Sequence, residues 1–377
     1  MIKNQLKIGV MSLLLVGLTI SCEKSEEVST MEPVNSNSNS SSKIQLEDLS
    51  LSDQSKGALP ETSENLGDLF RNAVTPSECG PTELAQVQSK YINAIREEPL
   101  ALAYNRLYSN LNLYFSYFLD DSEQYFGENG DYTQLMQKRQ RELAEFWSMP
   151  VTIKVQGQHT ANLDNRDNVA AVFYNFYGYK TEDGGVIPLT IDQAYQQADL
   201  IMSLNEASPN LPENPYFATD GFASSNRTIV IGDGLPSWLA ETGIDEGIVW
   251  TGILAHEWAH EIQFLNNSVW YPTGAADNAP EATRYTELEA DFFASYFMTH
   301  KRGATYNWKR VIDFYDLFFQ IGDCSFTNQG HHGTPLQRMA AARAGYELAS
   351  EMQKQGHILT MDEVHNAYLA AFDHIVQ

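Results

Sequence analysis

The chain is 377 residues long, 43% hydrophobic and 19% charged, with 24 basic side chains against 49 acidic ones and a formal net charge of -25. That length can bury a sizeable core in one large or two small domains. The charge balance argues against a nucleic-acid partner, because no basic excess is available to displace counterions from phosphates; it favours solubility outside the cell.

Lys3 and Lys7 precede an apolar run from Ile8 to Ile20 that ends at Ser21 and Cys22. The run has the shape of a secretory signal peptide and is too short for a membrane span. Cys22, directly after a small residue, resembles the lipidated cysteine of a bacterial lipoprotein, although Thr19 stands where Leu is usual. A plain signal peptide cleaved nearby is the competing reading. From Glu23 to Gly67 the chain turns to Ser, Asn, Glu and Asp, too polar to offset its ordering entropy, so a flexible tether is expected. Lipid on Cys22 would then hold the protein at the bacterial outer membrane or cell surface; a secreted or periplasmic protein is the alternative. Glu23, Glu26 and Glu27 resemble a surface-export signal, and a solvated linker explains them equally well. Cys79 and Cys324 remain as one disulfide or two separate thiols. The division that results is a signal peptide over 1–21, a linker over 22–67 and a domain over 68–377, the last with an N-terminal part to 205 and a metal-site part from 206.

Within the domain, residues 82–118 read as helices whose Leu, Tyr and Phe side chains, from Leu100 to Phe118, serve packing. The acidic run from Asp120 to Asp131 lacks the alternating ladder of a calcium loop and reads as a solvated connection. A helix over 134–148 stops before Pro150. Strands are expected at 151–156 and 170–176, with a turn between them, and a helix at 191–204. Pro209, Pro212 and Pro215 mark an irregular crossing that leads to a β-branched run, Thr228 to Ile231. Later, an amphipathic helix is expected over 306–321, another opens at Thr334 and Pro335, and Thr360 with Glu363 caps the last one.

The stretch that carries chemistry is Leu254-Ala255-His256-Glu257-Trp258-Ala259-His260-Glu261. Histidines four apart on a helix stand one turn above each other and can bind one metal ion from a single face. Glu257 shares that edge, where a carboxylate can take a proton from a metal-acidified water. The bland alternative is a surface helix with incidental histidines. Against it, Ile248, Val249, Trp250, Ile253, Leu254, Trp258, Ile262 and Phe264 make the helix apolar nearly all round, so it is expected to be buried. An open zinc site needs a third protein ligand. Gln263 and Asn266 stand where a longer histidine pattern would have Gly and His, which removes that option. A carboxylate can come instead from a second helical stretch, 281–299, where Glu287 and Asp291 share a face. Glu287 can reach the metal, and Asp291 can accept a proton from the far nitrogen of a ligating histidine.

HExxH followed after 26 residues by Glu287-Leu288-Glu289-Ala290-Asp291 resembles the gluzincins, and among them a bacterial family of neutral zinc metallopeptidases whose second motif reads ELxAD. The resemblance implies Zn2+ held by His256, His260 and Glu287, Glu257 as general base and Asp291 as partner of a ligand histidine. Glu289 falls at the variable position and receives no role. The segment Gly330-His331-His332-Gly333-Thr334-Pro335 is similar to the family's HGS-type segment. There His332 aligns with a histidine near the active site, either bonding a developing oxyanion or shaping the loop, with His331 as the other candidate. The resemblance spans 221–338. It also implies that the strand at 228–231 is an open edge that pairs with extended peptide; an internal strand is the other reading.

The fold class expected is α+β and predominantly helical: a zincin-like catalytic domain with a small, mostly antiparallel sheet and a buried HExxH helix. The function expected is a zinc-dependent peptidase acting on a peptide or protein substrate. The alternative of another class is a catalytically silent surface lipoprotein that uses the same scaffold for binding. A hydrolase for a non-peptide amide is a third reading.

Overall fold

In the computed structural model of the protein, the described residues are 83–271, 279–319 and 333–376, with the short stretches 46, 49–52, 55 and 60–63. These described residues all belong to one compact unit. The strand β1 (Leu49–Leu51) comes first, inside the stretch expected to be a tether, and pairs antiparallel with residues 177–179. Its leucines are the reason: Leu46, Leu49 and Leu51 pack on the core formed by the first half of the chain, an anchor too small to register in a composition dominated by polar residues.

Helices follow. α1 (Glu83–Glu97) and α2 (Pro99–Tyr114) are separated by Glu98, and Pro99 sits in the first turn, where its missing N–H would have had no partner. The chain runs on through one wide turn, Phe115–Leu119. Tyr108, Leu111 and Tyr114 are buried with Phe173, Ala198 and Phe217, which is the packing role expected of these aromatics. The acidic connection is less solvated than expected: Asp120 is buried and accepts hydrogen bonds from Ser122 and Gln124, and Phe126 lies in the core. α3 (Thr133–Phe146) is followed by β2 (Lys154–Gln158).

The strand expected at 170–176 is instead the end of a helix, α4 (Arg166–Phe176). Asn165 caps it by accepting hydrogen bonds from the backbone N–H groups of Asp167 and Asn168. Buried Val169, Ala170, Val172 and Phe173 then fall on one helical face, so capping and tertiary burial override the β propensity of the segment. β3 (Tyr177–Lys180) and β4 (Val186–Pro188) complete an antiparallel sheet in the order β1-β3-β4. α5 (Ile191–Ala207) opens on a capping box between Thr190 and Gln193.

The second sheet positions the site. β5 (Gly221–Ser224) and β6 (Thr228–Gly232) pair antiparallel, while β2 runs parallel to β6, giving the order β2-β6-β5. The run 228–231 is therefore the central strand and not an edge; β5 is the outer one. The edge reading comes from the family resemblance; the other reading, an internal strand, is the one the structure shows, and a β-branched run suits a central strand.

The rest is helical: α6 (Gly234–Ala240), α7 (Glu246–Trp270), α8 (Ala279–Thr299), α9 (Trp308–Phe319), α10 (Pro335–Gln355) and α11 (Met361–Ile375). α7 lies along β5, and α8 packs on α7 and α10. Their core takes in Trp238, Trp250 and Trp258, all fully buried. α10 meets α8 at Gly345, where an added Cβ would stand 2.2 Å from the carbonyl oxygen of Phe292; only a glycine lets the two backbones come this close. The architecture is α+β and mostly helical, with one antiparallel and one mixed small sheet. Among the described residues no helix is long and apolar enough to cross a membrane.

Candidate metal centre

Asp245 starts α7 by accepting a hydrogen bond from the backbone N–H of Ile248 at 3.1 Å, and every residue from 248 to 263 is buried. A helix apolar on all sides leaves its few polar side chains nowhere to go but toward each other. His256 and His260 lie one turn apart on it, and α8 brings Glu287 against both.

The tautomers follow from the partners. His256 Nδ1 lies 3.1 Å from Asp291 Oδ1, and His260 Nδ1 lies 2.8 Å from Gln263 Oε1. An ionised carboxylate and an amide oxygen only accept, so each Nδ1 donates and each Nε2 turns a lone pair inward. The two Nε2 atoms are 3.2 Å apart. Glu287 Oε2 is 3.3 Å from His256 Nε2, and Glu287 Oε1 is 3.3 Å from His260 Nε2. Metal–ligand bonds of roughly 2.0–2.1 Å in a tetrahedron separate the ligand atoms by about 3.3 Å. The three donors thus stand at the spacing that a small divalent ion imposes, and lone pairs held so close repel unless a cation lies between them. His256, His260 and Glu287 are all buried and form the group, among the described residues, that can hold a metal ion.

The electrostatics have the same sign. Burial pushes the His256 imidazole down, but hydrogen bonds to Asp291 and Glu287 outweigh it: with no metal between ring and carboxylate its pKa rises to about 10, a proton on Nε2 taking the place a metal would fill. Burial likewise opposes ionisation of Glu287, yet the imidazoles of His260 and His256 hold its carboxyl well below the usual range. The pocket favours positive charge in its middle. Arg338, from α10, sits behind it: Nε and Nη2 donate to Asp291 Oδ2 and Oδ1 at 2.7 and 2.9 Å, and Nη2 lies 3.5 Å from Glu287 Oε2. This fork fixes the Asp291 carboxyl in place, with Oδ1 turned toward His256 Nδ1.

Glu257 is completely buried. Its Oε2 accepts a hydrogen bond from Ser63 Oγ at 2.9 Å, while its Oε1 has no hydrogen-bond partner among the described residues. Burial pushes this carboxyl up from its ordinary value, and the two histidines pull it back. Glu261 is buried as well, and desolvation raises its pKa to about 8 against a hydrogen bond from the backbone of Ser224.

Glu289, to which the sequence assigned nothing, is fully buried on α8. It accepts from Gln263 Nε2 at 3.1 Å, from His365 Nδ1 at 2.5 Å and from the Tyr271 hydroxyl. Gln263 in turn holds His260, so Glu289 fixes the second imidazole through one intermediary and ties α11 to the site. Trp270 stacks on His365, with ring centroids 4.2 Å apart. Sequence reasoning missed Gln263, Glu289, Arg338 and Ser63. Two left a signal: Gln263 and Glu289 are polar side chains inside stretches otherwise apolar enough to be buried. Arg338 left a fainter one, a cation in register with buried Ala341 and Ala342. Ser63 left none. His331, His332, Cys22, Cys79 and Cys324 lie outside the described residues.

No protein-family model, no curated protein and no solved structure matches this chain.

Proposed function

We propose that this protein is a zinc-dependent peptidase on a zincin-like fold. The observation that supports this most is the convergence of His256 Nε2, His260 Nε2 and Glu287 at tetrahedral spacing, with the buried carboxylate of Glu257 on the same helix. Two imidazoles and one carboxylate are the donor set of open catalytic zinc sites. Zinc, when bound, supplies Lewis-acid activation of a water and of the scissile carbonyl.

Glu257 does the proton work. Its Oε1, free of hydrogen-bond partners among the described residues, takes a proton from the attacking water and returns it to the departing amine. Burial raises its proton affinity, in keeping with a base that works near neutral pH. Asp291 and Gln263 keep both ligand imidazoles in the tautomer that binds metal. β5, the outer strand alongside α7, offers backbone groups with which an extended substrate can pair. Export and tethering through Cys22 belong to the same reading and rest on the N-terminal sequence.

The test is digestion of an unbiased peptide library by the zinc-loaded chain, read by mass spectrometry. Cleavage that disappears in Glu257→Gln while zinc stays bound is expected. Bound zinc with no cleavage of any peptide moves the assignment to a binding protein on the same scaffold.

A further inference from the structure

An outer strand beside a catalytic helix presents a row of backbone groups to whatever extended chain arrives. In this protein one has already arrived. Residues 61–63 lie antiparallel along β5, with Thr62 opposite Ser224. Ser63 N–H donates to the carbonyl of Ala223 at 2.6 Å, and Ser225 N–H donates to the carbonyl of Glu61 at 2.6 Å. Ser63 makes two further bonds with one oxygen: its Oγ accepts from Ala223 N–H at 2.7 Å and donates to Glu257 Oε2 at 2.9 Å. The same short segment thus occupies the strand edge and covers one oxygen of the buried carboxylate.

We infer that residues 61–63 are an autoinhibitory strap: they hold the peptide-binding edge of β5 and engage Glu257 in the resting chain, and a polypeptide docks only after they leave. This rests on the peptidase reading for what docks, and on the hydrogen bonds alone for where. The strap lies at the surface: Glu61 and Thr62 are exposed and Ser63 is only half-buried. The buried side of the contact is supplied by β5, all four of whose residues are buried. A segment bound at these groups is a competitor for any extended chain, whatever that chain's side chains, because both use the carbonyl of Ala223 and the N–H groups of Ala223 and Ser225.

The test compares the full, zinc-loaded chain with Ser63→Pro, which removes both the N–H and the hydroxyl, and with Ser63→Ala, which removes only the hydroxyl and serves if proline disturbs folding. Amide hydrogen exchange reads Ala223 and Ser225, and reduced, carboxymethylated casein is the unfolded polypeptide probe. Ser63→Pro is expected to lose protection at both amides and to cleave casein about tenfold faster or more, the gain being set by the fraction of resting chains whose edge is covered. Ser63→Ala is expected to lose protection at Ala223 first and to show a smaller gain. Unchanged protection in both variants overturns the strap, and so does lost protection without faster cleavage in chains that do cut casein. If no zinc-loaded chain cuts casein, the peptidase reading falls, and exchange alone decides the strap. Casein that restores protection at Ser225 in Ser63→Pro while leaving the parent chain unchanged then supports it; casein that leaves the variant's exchange unchanged overturns it.

Discussion

Gln263 does for His260 what Asp291 does for His256: each accepts the Nδ1 proton and so turns Nε2 toward the centre. Both are themselves held, Asp291 by Arg338 and Gln263 by Glu289, so the two imidazoles are fixed at two removes. Replacing such supporting groups typically weakens metal binding by about 10–100-fold. That loss is expected for Asp291→Asn and for Gln263→Ala, measured by competition against a zinc chelator. Glu257→Gln is expected to bind zinc as before and to lose turnover by about a hundred- to ten-thousand-fold, measured on the same peptide mixture. Away from the centre, buried His300 accepts from Arg302 N–H through Nδ1 and bonds the carbonyl of His357 through Nε2, an arrangement for the neutral ring. Burial lowers its pKa below 6.5. The unfolded chain therefore takes up the proton first: the contribution is complete above pH 6.5 and is lost as pH falls toward and through the lowered folded value. His300→Gln should flatten that part of the stability profile, followed by urea unfolding from pH 7 to pH 5; an unchanged slope would show that the ring does not carry the effect.

At the scale of elements, the centre exists because α7, α8 and α10 pack closely enough for side chains from all three to meet. Gly345 sets the α8–α10 spacing, and a methyl group there would collide with the Phe292 carbonyl. Overpacking of this kind usually costs about 1–3 kcal/mol, so Gly345→Ala should lower unfolding free energy by that order and loosen the Arg338 fork. α7 was legible in the sequence because apolar side chains fall on all its sides, and its histidines and glutamates repeat at one-turn spacing, 256 with 260 and 257 with 261. The capping box at Thr360 was equally legible, being local: Thr360 and Glu363 bond each other three residues apart. α4 was misread because its side chains favour a strand, whereas Asn165 and the neighbouring helices decide for a helix. The order of β5 and β6 was not readable at all, since both runs are short and which one is central depends on β2, some 70 residues earlier in the chain.

At the scale of the whole molecule, what sequence could not yield is contact between distant positions. His256 to Asp291 spans one inter-helix connection, and motif spacing anticipates it; Ser63 meets Glu257 across 194 residues, and nothing in either segment announces the other. The donors come from two helices in the larger core, so a metal between them acts as a crosslink of the folded state and binds the unfolded chain far more weakly. Free zinc at a hundred times its dissociation constant would add about 2.7 kcal/mol to stability. Chelation should therefore lower the melting temperature of the parent chain and leave that of a His256→Ala variant unmoved, as followed by calorimetry. The most direct measurement is calorimetric titration of zinc into the chelator-stripped chain and into Glu287→Gln. One saturable zinc per chain, weakened at least about tenfold in the variant, is the expected result; absence of saturable binding, or equal binding by the two chains, would contradict a metal centre at His256, His260 and Glu287.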